Sequence, residues 1–145
     1  MKVLLQRVVS ASVTVDGQQI ARIDHGLLLL VGAARGDTTD AARALAGKVS
    51  GLRVFADDAG RFDRSLLDTQ GEALVVSQFT LLGDTRKGRR PSFTEAEAPE
   101  RARTLVEEFG AALEQRGVRV SRGRFGAHML VDLVNDGPVT LLLEG

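Results

Sequence analysis

Residues Ala73-Leu74-Val75-Val76-Ser77-Gln78-Phe79-Thr80-Leu81 constrain this chain more than any other stretch. Four apolar residues with no polar alternation predict a strand buried on both faces, which needs cover on each side. The same run ends in Ser77, Gln78 and Thr80 around one aromatic, Phe79. A buried strand that delivers polar groups at its end is a rigid base for a site. The strand is expected to continue through Leu81.

The rest of the chain reads as elements that could cover such a strand. Residues 2–9 predict a strand with Arg7 near its end. Val13 to Ile20 predicts a hairpin, because Asp16-Gly17 suits a two-residue type I′ turn. Gly26 to Val31 is a second buried-strand candidate. Thr38 or Thr39 can cap a helix whose apolar positions are Ala41, Leu45, Val49 and Leu52. Leu52 to Phe55 predicts a short strand, Asp57 to Gly60 a turn, and Phe62 to Asp68 no clear element. Pro99 suits a first helical position, and Ala102, Leu105, Val106, Phe109, Ala112 and Leu113 mark one face of a long helix that stops at Gly117. Val118 to Val120, Ala127 to Val134 and Val139 to Leu143 predict three more strands, the last two joined by Asn135-Asp136-Gly137-Pro138. The pattern is α+β, with a mixed, mainly antiparallel sheet and two main helices. No linker or repeat interrupts it, so one domain over residues 1–145 is expected.

Composition narrows the chemistry. The 145 residues contain no cysteine and two histidines. Disulfide and thiol chemistry are excluded, and a zinc site is not expected. Formal net charge is zero, so there is no global basic field, but Arg86-Lys87-Gly88-Arg89-Arg90 is a local basic run that could hold phosphates. No signal peptide or membrane-length apolar run is visible, which makes a soluble cytoplasmic protein the expectation. Ser77, Gln78 and Thr80 have no obvious base nearby, so a Ser-His-Asp triad is not supported. Such groups suit orienting a substrate or water, or stabilising developing negative charge. Gly137-Pro138 is open to two readings, a tight turn or a cis peptide. Arg7 can be a solvent-facing strand residue, and Met129 fits an inward set with Val131 and Leu133. The residues alone indicate hydrolysis of, or binding to, something phosphorylated.

Ser77-Gln78-Phe79-Thr80-Leu81 together with Asn135-Asp136-Gly137-Pro138-Val139-Thr140 resembles the D-aminoacyl-tRNA deacylase family. Asp84 to Phe93, Gln6-Arg7-Val8, Ala11-Ser12-Val13 and Gly123 to Ala127 match it too, so the resemblance spans the chain. An acidic residue is expected where His128 stands. The resemblance implies a barrel-like sheet with helices outside, a homodimer with sites at its interface, and no required cofactor or metal. It implies cleavage of the ester between a D-amino acid, or mischarged glycine, and the terminal ribose of tRNA. Ser77, Gln78, Phe79 and Thr80 would line the pocket for the aminoacylated adenosine. Either Thr80 or the substrate's own 2′-hydroxyl would assist the chemistry. Gly137-Pro138 would be a Gly-cisPro motif that reaches into the partner's site and rejects L-amino acids. Arg7 would orient that motif, and Phe125 and Met129 would help wall the pocket. Rival readings are a non-catalytic tRNA-binding or interaction module and a sibling deacylase for another small mischarged residue.

Overall fold

In the computed structural model, which describes residues 1–145, one strand is paired along both edges. β1 (Lys2–Val15) carries β8 (Leu130–Glu144) along one edge. On the other edge, β3 (Gly26–Gly32) pairs with its first half and β2 (Gln18–Ile23) with its second. All three pairings are antiparallel. β6 (Glu72–Ser77) then adds to β3 in parallel, and β7 (Arg119–Arg122) to β6 in parallel. The order β2-β1-β3-β6-β7, with β8 beside β1, curls until β2 approaches β6 and β7. The result is the expected mixed, barrel-like α+β sheet. A separate two-stranded ribbon joins β4 (Phe55–Ala56) to β5 (Phe62–Arg64).

Alternation along the strands builds two cores. Leu27, Leu29, Val31, Ala73 and Val75 face the helices, while Leu28, Leu74 and Val76 face the inside of the curled sheet. β3 and β6 are thus buried on both sides, as an unbroken apolar run demands. In β1 the parity changes after Val8: Val3 and Leu5 face the helices and Val8 faces inward by simple alternation, yet Ala11, Val13 and Val15 also face inward. The change coincides with the register shift against β8 between Val8 and Ser10, where β1 carries one extra residue, Val9, and the bulge resets which side chains point where. Gly26 is required at the β3–β6 contact, since a Cβ there would lie 1.9 Å from the Glu72 carbonyl oxygen.

Two long helices cover one face. α1 (Thr39–Gly51) starts at Thr38, whose hydroxyl accepts from the Ala41 N–H at 3.1 Å. It buries Ala42, Leu45, Ala46 and Val49, so the face is turned one residue from the expected Ala41. α3 (Pro99–Gln115) opens on Pro99 and buries Ala102, Leu105, Phe109, Ala112 and Leu113.

Four sequence expectations need correction. The site strand ends at Ser77, and Phe79 to Leu82 form a 3-10 turn. The two predicted C-terminal strands are one strand, β8, interrupted by a bulge. Leu133 lies on the same face as Val131, opposite Ala11, but is 36% exposed rather than buried. The unassigned stretch Phe62 to Asp68 holds β5 and most of a short helix, α2 (Leu66–Thr69), opened by a reciprocal Ser65–Asp68 capping box. Periodicity cannot detect elements that short.

Phe109 is fully buried at the centre of the larger core. Phe109→Ala is expected to lower unfolding free energy by about 3–5 kcal/mol, measured by urea titration. A loss below about 1 kcal/mol would mean that the helix face is loosely packed.

Candidate functional site

β6 packs on both faces and is held by parallel partners on both edges, so its last residue, Ser77, is fixed in space. The Gln78 N–H still donates to Val31 O at 2.8 Å; then the chain leaves the sheet and enters the 3-10 turn. The turn's own hydrogen bonds begin with Leu81, which donates to Gln78 O at 3.3 Å, so the Phe79 and Thr80 N–H groups lie outside them. The change from strand to turn leaves Phe79 57% exposed and Thr80 exposed. The Gln78 side-chain amide donates to the Thr80 hydroxyl. That hydroxyl therefore faces an amide donor, which cannot take its proton as a base would.

Ser77, Gln78 and Phe79 open onto a cavity of about 270 Å³. Val31, Ala33, Ala102, Val106 and Phe125 supply most of its apolar wall, with Glu97 and Gly126 at its margin. Its size is near the lower end of small-molecule sites, roughly 300–1,000 Å³. Such a cavity can take one nucleoside-sized group. Arg103, from α3, lies over the Phe125 ring at 5.1 Å. Arg122 is committed to Glu114 through bonds of 2.8 and 3.0 Å, which hold that carboxyl below its ordinary range. Met129 does not line the cavity. Its sulfur lies beside Gly123, and it packs against the inward core instead.

Behind the turn, the basic run is a clamped loop. Asp84 and Ser92 exchange two backbone hydrogen bonds of 2.7 and 2.9 Å. Arg86 grips Asp84 through both carboxylate oxygens, at 2.9 and 2.7 Å, and holds its pKa down to about 2. Phe93 meets Phe79 edge to face at 5.0 Å, tying the loop's far end to the cavity mouth.

Arg7 and Gly137-Pro138 lie together elsewhere. Between the pairs Gln6–Thr140 and Val8–Asn135, the single residue Arg7 of β1 faces four of β8, Asp136 to Val139. Asn135 closes the resulting bulge: its side-chain oxygen accepts from Val139 N–H at 2.8 Å, and its amide donates to Val139 O at 3.1 Å. Arg7 is 11% exposed and donates to Asp136 O at 2.9 Å and Val54 O at 2.7 Å. Phe62 of β5 lies across the guanidinium at 5.4 Å. The Gly137–Pro138 peptide is cis, which resolves the two readings left open above. Gly137 has φ 143°, and a Cβ there would lie 2.8 Å from a Val139 methyl and 3.2 Å from Arg7 Nη2. Both Gly137 and Pro138 are exposed, flanked on β8 by exposed Val134, Leu141 and Leu142.

Within one chain, then, Ser77, Gln78, Phe79 and Phe125 share a cavity, while Arg7, Gly137 and Pro138 form a separate exposed knuckle. β3 and β1 stand between β6 and β8. Sequence reasoning missed Val54, Asn135 and Phe62 as partners of the knuckle. Only Asn135 carried a local signal, an Asx residue opening a turn. No three His, Cys, Asp or Glu side chains gather as a metal site. No helix is long and apolar enough to cross a membrane.

Comparison with known proteins places the chain in a family. A relative from Roseiflexus castenholzii, named D-aminoacyl-tRNA deacylase, is 60% identical over 99% of this chain and 92% of its own length. One from Thermomicrobium roseum with the same name is 60% identical over 99% and 94%. A solved structure described as the c-Myc DNA unwinding element binding protein superposes with a TM-score of 0.94 at 41% identity, covering 100% of this chain and 99% of that one. The model of the D-Tyr-tRNA(Tyr) deacylase family matches residues 4–144. The chain belongs to that family of D-aminoacyl-tRNA deacylases, which are hydrolases.

Proposed function

We propose that this protein hydrolyses the ester of D-aminoacyl-tRNA, and of mischarged glycyl-tRNA, as a cytoplasmic homodimer whose two sites are completed across the interface. The observation that carries this reading is the family match over nearly the whole chain. The terminal adenosine would enter the cavity beside Ser77, Gln78, Phe79 and Phe125. The ester carbonyl would then sit by the 3-10 turn, where N–H groups not used by the turn suit a developing oxyanion. Thr80 has no base, which favours positioning over nucleophilic attack, with the ribose 2′-hydroxyl or an oriented water doing the chemistry.

Selectivity would come from the knuckle. In one chain it is exposed and remote from the cavity in the sheet order, and it is flanked by apolar side chains on the free edge of β8. A long apolar edge strand is an association surface. Pairing two such edges would bring bare Gly137-Pro138 backbone into the partner's site. An L side chain would strike it there, and a D side chain or a hydrogen would not. A steric rule of this kind accepts many D-residues, because it tests configuration rather than side-chain chemistry.

Three outcomes are expected. D-Tyr-tRNA is cleaved and L-Tyr-tRNA spared in parallel assays of released amino acid; equal cleavage of both would remove the proofreading role. Sedimentation in dilute solution gives a dimer, and an active monomer would contradict shared sites. Gly137→Val lowers activity at least tenfold more than it lowers the folded fraction, because its Cβ meets Val139 and Arg7 in an exposed segment. Normal activity in that variant would make the dipeptide only a turn. Tight tRNA binding without turnover would favour a non-catalytic module.

A further inference from the structure

The basic loop is the largest charged feature that the reaction chemistry leaves unused. Its cations are not equivalent. Arg86 is neutralised by Asp84, and Glu95 also lies in its field. Lys87, Arg89 and Arg90 are exposed and enter no ion pair or side-chain hydrogen bond. Most other arginines of the chain are engaged: Arg7, Arg22, Arg43, Arg53, Arg61, Arg64, Arg101, Arg119 and Arg122 all pair with carboxylates. In a chain of zero net charge, three cations within four residues that no carboxylate pairs with leave a local positive field at the loop tip.

The loop is also held in place relative to the cavity. The Asp84–Ser92 hydrogen bonds close its base, and the Arg86–Asp84 pair stiffens one arm. Gly88, at φ 71°, turns the tip. Phe93 packs against Gly83 and Phe79, so the loop starts and ends on the turn that borders the cavity. The loop therefore borders the cavity mouth, within reach of a polyanion whose end occupied the cavity.

We infer that Lys87, Arg89 and Arg90 form a phosphate-gripping subsite for the RNA backbone next to the substrate's terminal nucleotide. This rests on the tRNA-ester reading of the cavity above. Cations at phosphates act through released counterions, with a slope of log affinity against log salt of roughly −0.7 to −0.9 per contact. They position the strand without reading its sequence. The subsite therefore contributes to capture of whole tRNA, equally for any tRNA sequence, and contributes nothing to cleavage of the ester itself.

The test compares two substrates, a D-aminoacyl-tRNA and the D-aminoacyl ester of adenosine alone. The variant is Lys87→Ala/Arg89→Ala/Arg90→Ala, with Asp84, Arg86 and Phe93 kept so that the clamp survives. On tRNA, KM rises with kcat held, and the salt slope of kcat/KM flattens by about 2–3 units. On the adenosine ester, kinetics match the parent protein. The charge-keeping variant K87R/R89K/R90K retains the salt slope on tRNA. An unchanged KM and salt slope on tRNA in the triple-alanine variant overturns the subsite while leaving the deacylase reading intact. An equal loss on both substrates assigns the loop to cavity structure and also overturns it. If the parent protein cleaves neither substrate, the tRNA-ester reading fails, and the subsite fails with it.

Discussion

The double pairing of β1 is the constraint on which the rest depends. A strand bonded along both edges cannot slide without breaking two ladders at once. Its register is therefore passed on in two directions. Through β3 it reaches β6 and fixes the height at which Ser77 leaves the sheet. Through β8 it sets the point at which four residues must bulge past one. The cavity and the exposed knuckle are consequences of the same strand, though they lie on opposite sides of it. Arg7 is the residue of β1 at which the β8 ladder gives way, and its guanidinium supplies the donor that the displaced Asp136 carbonyl would otherwise lack.

The two ends of the chemistry are built differently. The cavity side relies on burial: Ser77 is rigid because Val75 and Val76 are packed on opposite faces just before it. The knuckle side relies on polar closure, with Asn135 and Arg7 bonding backbone groups that have left the ladder. In between, Phe79 is exposed because the chain turns immediately after Gln78, so a large aromatic lies at the surface of the site rather than under it. Its contact with Phe93 makes that exposure specific, since it links the cavity mouth to the charged loop.

Much of this was legible in the sequence where the signals were long. The doubly buried β6, the Asp16-Gly17 hairpin, the Thr38 cap and the apolar face of α3 follow from periodicity and turn chemistry. Other features depend on tertiary context. The turn at Phe79 looks like continued strand, because Phe and Thr favour strands and nothing local marks the exit. Residues 127–143 look like two strands, because no local signal says that β1 will hold both halves on one edge. α2 is too short for an apolar period. Phe62 could not be tied to Arg7, since their meeting depends on how the β4–β5 ribbon folds back. The motif residues were recognisable as a set by their likeness to one family, and not by any spacing that a single chain must obey.

The way Asn135 closes the bulge has a consequence for assembly. Its carboxamide bonds only residues four and five positions ahead, and the Arg7 bonds come from the same chain, so the protruding turn holds its shape without help from a second subunit. On the proposed reading, the gauge that measures handedness is finished at folding, and dimerisation only delivers it. The apolar edge could then drift in sequence, tightening or loosening the dimer, without recalibrating stereochemical accuracy.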